Sequence, residues 1–380
     1  MMQRIAALTL VLCLLLMTGV PAIRGDEAAP PAPPAEGPAK KPGEVDEKTR
    51  AAIEKGLKYL AGIQETTSGA FGEQNKLAAT SLAGMAFLSG GNVPGRGLYC
   101  KNVEMAIDFI LKNAVTPSGY LQFQNSNMYS HGFATLLLAE SYGMIPPYTQ
   151  QGPKVRNALT RAIKLIEKSQ NADGGWWYDP IKNSSGQGAD ISVTVCEANA
   201  LRAARNCGIA VDKRVVENAL KCVKSAANDD GGFSYRVISG KKTEGSAFPR
   251  SSGAVCILLA LGAYDSVEAK KGVEYLFRTA MPEKGGQQMQ FAGSYLYYAS
   301  YYASQAMFMS GVQNWDKWWP FIRDIMLGQQ DARGAWPQAN EGGSSAYSTA
   351  IALIVLQMPY RYLPIYQEGV DNAAGTPPSP

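Results

Sequence analysis

The chain has 380 residues, 46% of them hydrophobic, with 36 basic and 32 acidic residues and a formal net charge of +4. That composition holds enough apolar material for a large core and excludes a disordered or fibrous chain. The charges are spread without a basic stripe, which excludes a nucleic-acid surface.

The first element reads as an export leader. Arg4 gives a positive start, Ile5 to Val20 is a 16-residue apolar run, and Val20-Pro21-Ala22 is a small-residue cleavage site. Residues 1–25 are therefore assigned to a signal peptide, and the mature protein is expected outside the cytoplasm. An uncleaved anchor is the rival, but a bilayer span needs about 20 residues. Membrane contact is expected only through such an uncleaved leader. Cys13 follows Leu12, where lipid attachment needs a small residue. Residues 26–46 are rich in Pro and Ala and form a spacer; residues 368–380 have the same character and form a loose tail.

Between them lies an internal repeat. A glycine ahead of an aromatic or apolar residue recurs at Gly69, Gly119, Gly174, Gly231, Gly285 and Gly334, at intervals of 50, 55, 57, 54 and 49 residues. A period near 50 with two helical patterns per unit predicts six helical hairpins over residues 47–367. The first helix of each is amphipathic. In residues 154–170, Val155, Leu159, Ala162 and Ile166 line one face, while Lys154, Arg156, Arg161, Lys164 and Lys168 fall elsewhere. The second is apolar all round, as in 254–264 and 346–356, which carry no charge. Such a helix must be buried on every side. The expected fold is all-α, an (α/α)6 toroid whose outer helices open near Ala51, Lys101, Lys154, Lys213, Ser266 and Trp315. An open solenoid would leave one side of each inner helix wet.

The junctions after outer helices read QETTSGAF at Gln64 to Phe71, SQNADGGWW at Ser169 to Trp177 and QQDARGAW at Gln329 to Trp336. They resemble the Gln-Trp repeats of the prenyltransferase and squalene-cyclase superfamily, whose members are α/α toroids. The expected logic is a Gln in the last helical turn that satisfies a free carbonyl, a Gly that supplies the left-handed exit, and an aromatic ring packed on the turn. Three of the six units keep the Gln.

For activity the resemblance points the other way. Squalene cyclases protonate their substrate with a D-x-D-D-T motif at the start of an inner helix. The nearest match is Asp190-Ile191-Ser192-Val193-Thr194, with Ser and Val in place of two carboxylates. Cyclases also enclose their substrate between two helical domains, and this chain has one. Protein prenyltransferases hold zinc with Asp, Cys and His; no matching triad is found and His131 is the only histidine. No metal and no cofactor are expected. Complement-type thioester toroids begin the first inner helix with Cys-Gly-Glu-Gln, whereas Phe71-Gly72-Glu73-Gln74 lacks the thiol.

Aligning the inner helices puts Asp190 level with Arg250, either as an ion pair tying neighbouring repeats or as a polar site at the ring's mouth. Facing Arg250, Asp190 would be ionised near neutral pH. His131, Cys196 and Cys256 fall at one depth, but on helices about 8–10 Å apart they converge poorly on an ion; His131 stays a candidate ligand contact. Tyr295, Tyr298 and Tyr302 share a face of the fifth inner helix, predicted from Gly293 to Gly311, and either line a cavity or pack between repeats. Glu140 and Glu197 sit in inner helices and need partners. Asp190 and Glu197 are a candidate acid/base pair of the kind that secreted glycan-cleaving (α/α)6 enzymes use. Cys207 and Cys222 are the first disulfide pairing to test.

These readings lead to an exported, non-catalytic binding or scaffold protein that takes an unknown apolar or extended ligand in its cavity or at its rim. The alternatives are a cyclase-like activity on an isoprenoid and a glycan hydrolase or lyase activity. The oligomeric state is left open.

Overall fold

In the computed structural model the described residues are 45–180, 186–281, 295–337 and 343–367. The leader, most of the spacer, Gly285 and the tail lie outside them. The outer helices are α1 (Glu47–Gly62), α3 (Cys100–Asn113), α5 (Gln151–Ser169), α7 (Lys213–Ser225), α9 (Val267–Ala280) and α11 (Val312–Gln329). The inner helices are α2 (Lys76–Ser89), α4 (Met128–Tyr142), α6 (Ile191–Asn206), α8 (Phe248–Ala260), α10 (Leu296–Met309) and α12 (Ser345–Gln357). Asp46, Asn127, Asp190, Asp212, Ser266 and Ser344 each start a helix by accepting a first-turn backbone N–H.

Successive inner helices pack on one another, α12 returns to α2, and α1 packs on α11 and α12. The ring is closed, as the all-round apolar pattern requires. Every residue of α12 from Ala346 to Gln357 is buried, whereas α7 buries only Val215, Ala219, Cys222 and Val223. One small sheet interrupts the helical pattern: β1 (Ala189–Asp190), β2 (Arg236–Ile238) and β3 (Lys241–Lys242), all antiparallel.

The repeated Gln satisfies two backbone carbonyls, one in its own turn and one in the next outer helix. The amides of Gln64, Gln170 and Gln330 donate to the carbonyls of Gly69, Gly174 and Gly334 at 2.9, 2.8 and 3.1 Å. Each also donates to the next outer helix, at Asn102, Val215 and Ala52, at 3.1, 2.7 and 2.8 Å. The last of these bonds ties the sixth unit to the first. A last-turn carbonyl of the outer helix is taken by an indole, Trp176 to Ile166 at 2.8 Å and Trp336 to Met326 at 2.7 Å. Gly174 and Gly334 hold φ of 85° and 95°. A Cβ there would stand 2.5 Å from the Asn218 carbonyl oxygen and 2.6 Å from that of Lys55, so a side chain would push the neighbouring helix away.

Two residues after the glycine, an inner-helix side chain accepts the backbone N–H. The pairs are Phe71 to Thr80 (2.9 Å), Leu121 to His131 (3.0 Å), Trp176 to Thr194 (3.1 Å), Phe233 to Ser251 (2.9 Å) and Trp336 to Thr349 (3.0 Å). His131 is thus the second unit's version of a hydroxyl brace.

The five described cysteines are free, which corrects the pairing of Cys207 with Cys222. Cys207 caps the end of α6, and Cys222 lies in the last turn of the antiparallel α7. Nine residues of helix past the start of α7 separate them by about 14 Å along the axis, beyond a disulfide's reach. Beyond α12, Leu363, Ile365 and Tyr366 are buried over the end of the ring where the inner helices finish. The Ile365 N–H donates to Glu140 at 3.1 Å.

Candidate functional site

The six inner helices start at the opposite end, and their first turns enclose a cavity of about 660 Å³. Its wall takes Asn75, Ala78 and Ala79 at α2, Asn127, Tyr129, Ser130 and Phe133 at α4, and Ser192 at α6. Pro249 and Arg250 come from α8, Tyr295 and Tyr298 from the start of α10, and Tyr347 from α12. Tyr178, Tyr235, Glu244 and Ala247 come from the connections before α6 and α8. A second pocket of about 290 Å³ shares Asn75 and is edged by Glu73, Gln74, Phe123 and Gln124. Asn75 and Gln124 hold left-handed φ of 50° and 53°, a conformation that the surrounding structure must maintain.

Backbone bonds carry the two connection tyrosines to the mouth. Met128 N–H donates to the Tyr178 carbonyl at 2.9 Å, Ile191 N–H to that of Tyr235 at 3.0 Å, and Asp190 N–H to that of Trp176 at 2.9 Å. Asp190 then caps α6: its Oδ1 accepts the N–H groups of Ser192 and Val193 at 2.8 and 3.1 Å. Its Oδ2 accepts the Tyr178 hydroxyl at 3.0 Å, and the Tyr235 hydroxyl bonds both Asp190 and Tyr178. Burial raises the Asp190 carboxyl above the usual range, and the bonds from Tyr235, Val193, Tyr178 and Ser192 pull it back. Burial also raises the hydroxyls of Tyr178, Tyr235 and Tyr129, which stay protonated at neutral pH.

Arg250 does not meet Asp190. Its guanidinium pairs with Glu244 at 3.7 Å, donates to the Phe233 and Gly245 carbonyls at 3.1 and 2.6 Å, and stands 5.9 Å over the Tyr235 ring. Arg236 shares Glu244 at 4.0 Å. The expected ion pair fails because Asp190 turns back to cap its own helix while the two phenols fill its other oxygen.

The structure brings Tyr295, Tyr298 and Arg250 to the cavity and sets Asp190 behind its phenols. It does not bring Glu197, His131 or Tyr302 there. Glu197 lies seven residues beyond Asp190, about 10 Å along α6, fully buried, with no hydrogen-bond partner for either oxygen among the described residues. Burial holds its carboxyl well above the usual range, and its distance from Asp190 and from the cavity wall keeps the two carboxyls from flanking one ligand bond. His131 Nδ1 accepts from Leu121, which places the proton on Nε2, and burial lowers its pKa to about 3. Tyr302 is fully buried, its hydroxyl 3.2 Å from Cys196 Sγ. Tyr129, Tyr178, Tyr235, Glu244 and Tyr347 join the site without having been singled out from the sequence. Among the described residues no group of three His, Cys, Asp or Glu could hold a metal ion.

Residues 149–310 match the family model of the squalene-hopene cyclase C-terminal domain, a stretch that runs from α5 through α10. No curated protein matches the sequence. In three dimensions the chain is similar to the type II terpene cyclase MstE from Scytonema, with a TM-score of 0.56 and 14% identity over 83% of this chain and 99% of that one. It is also similar to the GH76A α-1,6-mannanase of Salegentibacter sp. HEL1_6 (0.58, 10%, 81% and 98%) and to a D-mannose isomerase (0.61, 11%, 84% and 99%). At these identities the structures share a fold. The family match and the toroid neighbours together support a prenyltransferase/squalene-cyclase-like superfamily.

Proposed function

We propose that this prenyltransferase/squalene-cyclase-like toroid is an exported, non-catalytic binding protein whose mouth takes an extended ligand with flat apolar faces and hydroxyl edges, the chemistry of an oligosaccharide. The observation that carries the reading is Ser192. Of the two D-x-D-D-T positions at which this chain lacks a carboxylate, residue 192 is the one on the cavity wall, and it carries a hydroxyl; Val193 is buried. Among the described residues the only wall carboxylate is Glu244, which two arginines neutralise. The mannanase of similar fold is inactive when two aspartates are replaced by asparagine; among the described residues this cavity's wall offers Glu244 alone, with Glu73 at the edge of the adjoining pocket.

Tyrosine rings provide stacking faces, and phenols, Asn75, Asn127 and Arg250 provide directional bonds. The second pocket lengthens the site past Asn75, which suits a chain-like ligand. Native mass spectrometry of the exported protein is expected to retain a polyhydroxylated species, and Tyr298→Ala to weaken its binding about tenfold. A retained isoprenoid, or binding indifferent to Tyr298→Ala, would contradict the reading.

A catalytic reading has one observation in its favour: Asp190, Tyr178 and Tyr235 form a hydrogen-bonded line from a buried carboxyl to the wall. A proton carried along that line would make the toroid a cyclase-like or glycan-cleaving enzyme.

A further inference from the structure

We infer that the ring end opposite the cavity is a docking face for an anionic bilayer surface. Connections in a closed ring of hairpins alternate between its two ends. Those from outer to inner helices form the cavity end, and those from inner to outer helices form the other. Of the eight exposed large apolar residues among the described ones, six lie at that other end: Leu98, Tyr148, Tyr264, Val267, Val312 and Tyr362. Leu98 and Tyr148 are 84% exposed and Val312 is 70% exposed.

Their arrangement decides the partner. A protein partner needs a contiguous apolar patch with a dry centre; these six side chains are distributed over the α2–α3, α4–α5, α8–α9 and α10–α11 connections and the segment after α12. A bilayer is a plane, and separated side chains at one end of a ring can enter it together. Tyrosine suits the headgroup level, with its ring in the apolar layer and its hydroxyl in the wet one.

Charge follows the same division. The connections and chain ends of this face, with the helical turn on either side, hold ten basic residues, among them Arg96, Lys154, Arg205 and Arg361, against five acidic ones besides the buried Glu140. The described residues of the cavity end, counted the same way, hold ten of each. A basic end that also exposes apolar side chains is attracted to anionic lipid and anchored once there. No described helix is long and apolar enough to cross a membrane, so the contact is peripheral and independent of the leader. It would leave the cavity facing water.

The test is flotation of residues 26–380, which keep every described residue but not the leader, with vesicles of phosphatidylcholine plus phosphatidylglycerol and with phosphatidylcholine alone. The protein is expected to float with the anionic vesicles and to lose binding as salt screens the basic end. The triple variant Leu98→Ser, Tyr148→Ser, Val312→Ser should lower the partition coefficient about tenfold or more, with an unchanged melting curve because the three side chains are exposed. Three outcomes would overturn the inference: no flotation with anionic vesicles, a triple variant that floats like the parent, or equal flotation on neutral vesicles. So would a dimer that these substitutions dissolve in the absence of any flotation.

Discussion

Trp176→Ala is expected to lower the unfolding free energy by about 3–5 kcal/mol, read from guanidinium denaturation. The indole is fully buried, and its N–H fills the last-turn carbonyl of α5, at Ile166, 2.8 Å away. The residue's own backbone N–H is held by Thr194 on α6. One side chain thus joins the outer helix, the turn and the inner helix of its unit, while Gln170 and Gly174 beside it join that unit to the next. Trp176→Phe keeps most of the apolar contact and leaves the Ile166 carbonyl unmade, so it should cost about 1–3 kcal/mol. If the alanine and phenylalanine variants lose equally, the indole acts through its hydrogen bond alone. A loss under about 1 kcal/mol for alanine would show that the repeat turn is not a point of stability.

Between about pH 6.5 and pH 8.5 the protein is expected to become less stable as pH rises. Burial pushes the Glu140 carboxyl up to about 7, against the Ile365 N–H and the Arg202 charge, and burial raises Glu197 well above the usual range. For a carboxyl whose folded pKa exceeds its unfolded one, the folded state holds the extra proton. Its stabilising contribution is complete below the unfolded value of 4.5 and is lost as pH climbs through the folded value. For Glu140 that amounts to about 3 kcal/mol lost between those limits. His131 acts in the opposite sense: its pKa falls from 6.5 to about 3 on burial, so its contribution is lost as pH drops through that window. Above pH 6.5 the histidine has only about 0.4 kcal/mol left to contribute, and the glutamates outweigh it. Glu197→Gln should therefore stabilise the protein at pH 8.5 and flatten the slope. Denaturation midpoints that hold or rise from pH 6.5 to 8.5 would contradict the buried, protonated state of these carboxyls.

The ring was legible in the sequence because burial on every side leaves no freedom: 346–356 carries no charge, and only an inner ring has room for such a helix. The glycine period was legible for a related reason. Gly174 and Gly334 touch the backbone of the next outer helix, so spacing and contact are one constraint. The site was less legible, since helix alignment gives depth but not direction. It sets Asp190 opposite Arg250, yet the short Asp190 side chain reaches its own first-turn N–H groups, and Arg250 pairs with Glu244. His131 and Tyr302 point into the packing between helices.

One usable signal lay in the repeat register. Tyr178 and Tyr235 each stand four residues after a repeat glycine, as do Glu73 and Phe123 in the first two units. All four line the mouth, two in the cavity and two in the adjoining pocket, because the chain crosses the ring's rim at that step on its way to the inner helix.

A turnover assay decides whether the mouth binds without reacting. Residues 26–380 would be incubated with squalene and, separately, with α-1,6-mannotriose, and products followed by mass-resolved chromatography. Alkene protonation needs an acid aimed into a dry chamber; here Ser192 faces the cavity, and Asp190 is turned away into four hydrogen bonds. Glycan cleavage needs two carboxyl groups flanking the bond, and Glu244 alone faces the cavity among the described residues. Both substrates are expected back unchanged. Cyclised squalene or shortened mannotriose, formed by the parent protein and lost in a folded Asp190→Asn variant, would contradict the account and make the carboxyl–phenol line an active site.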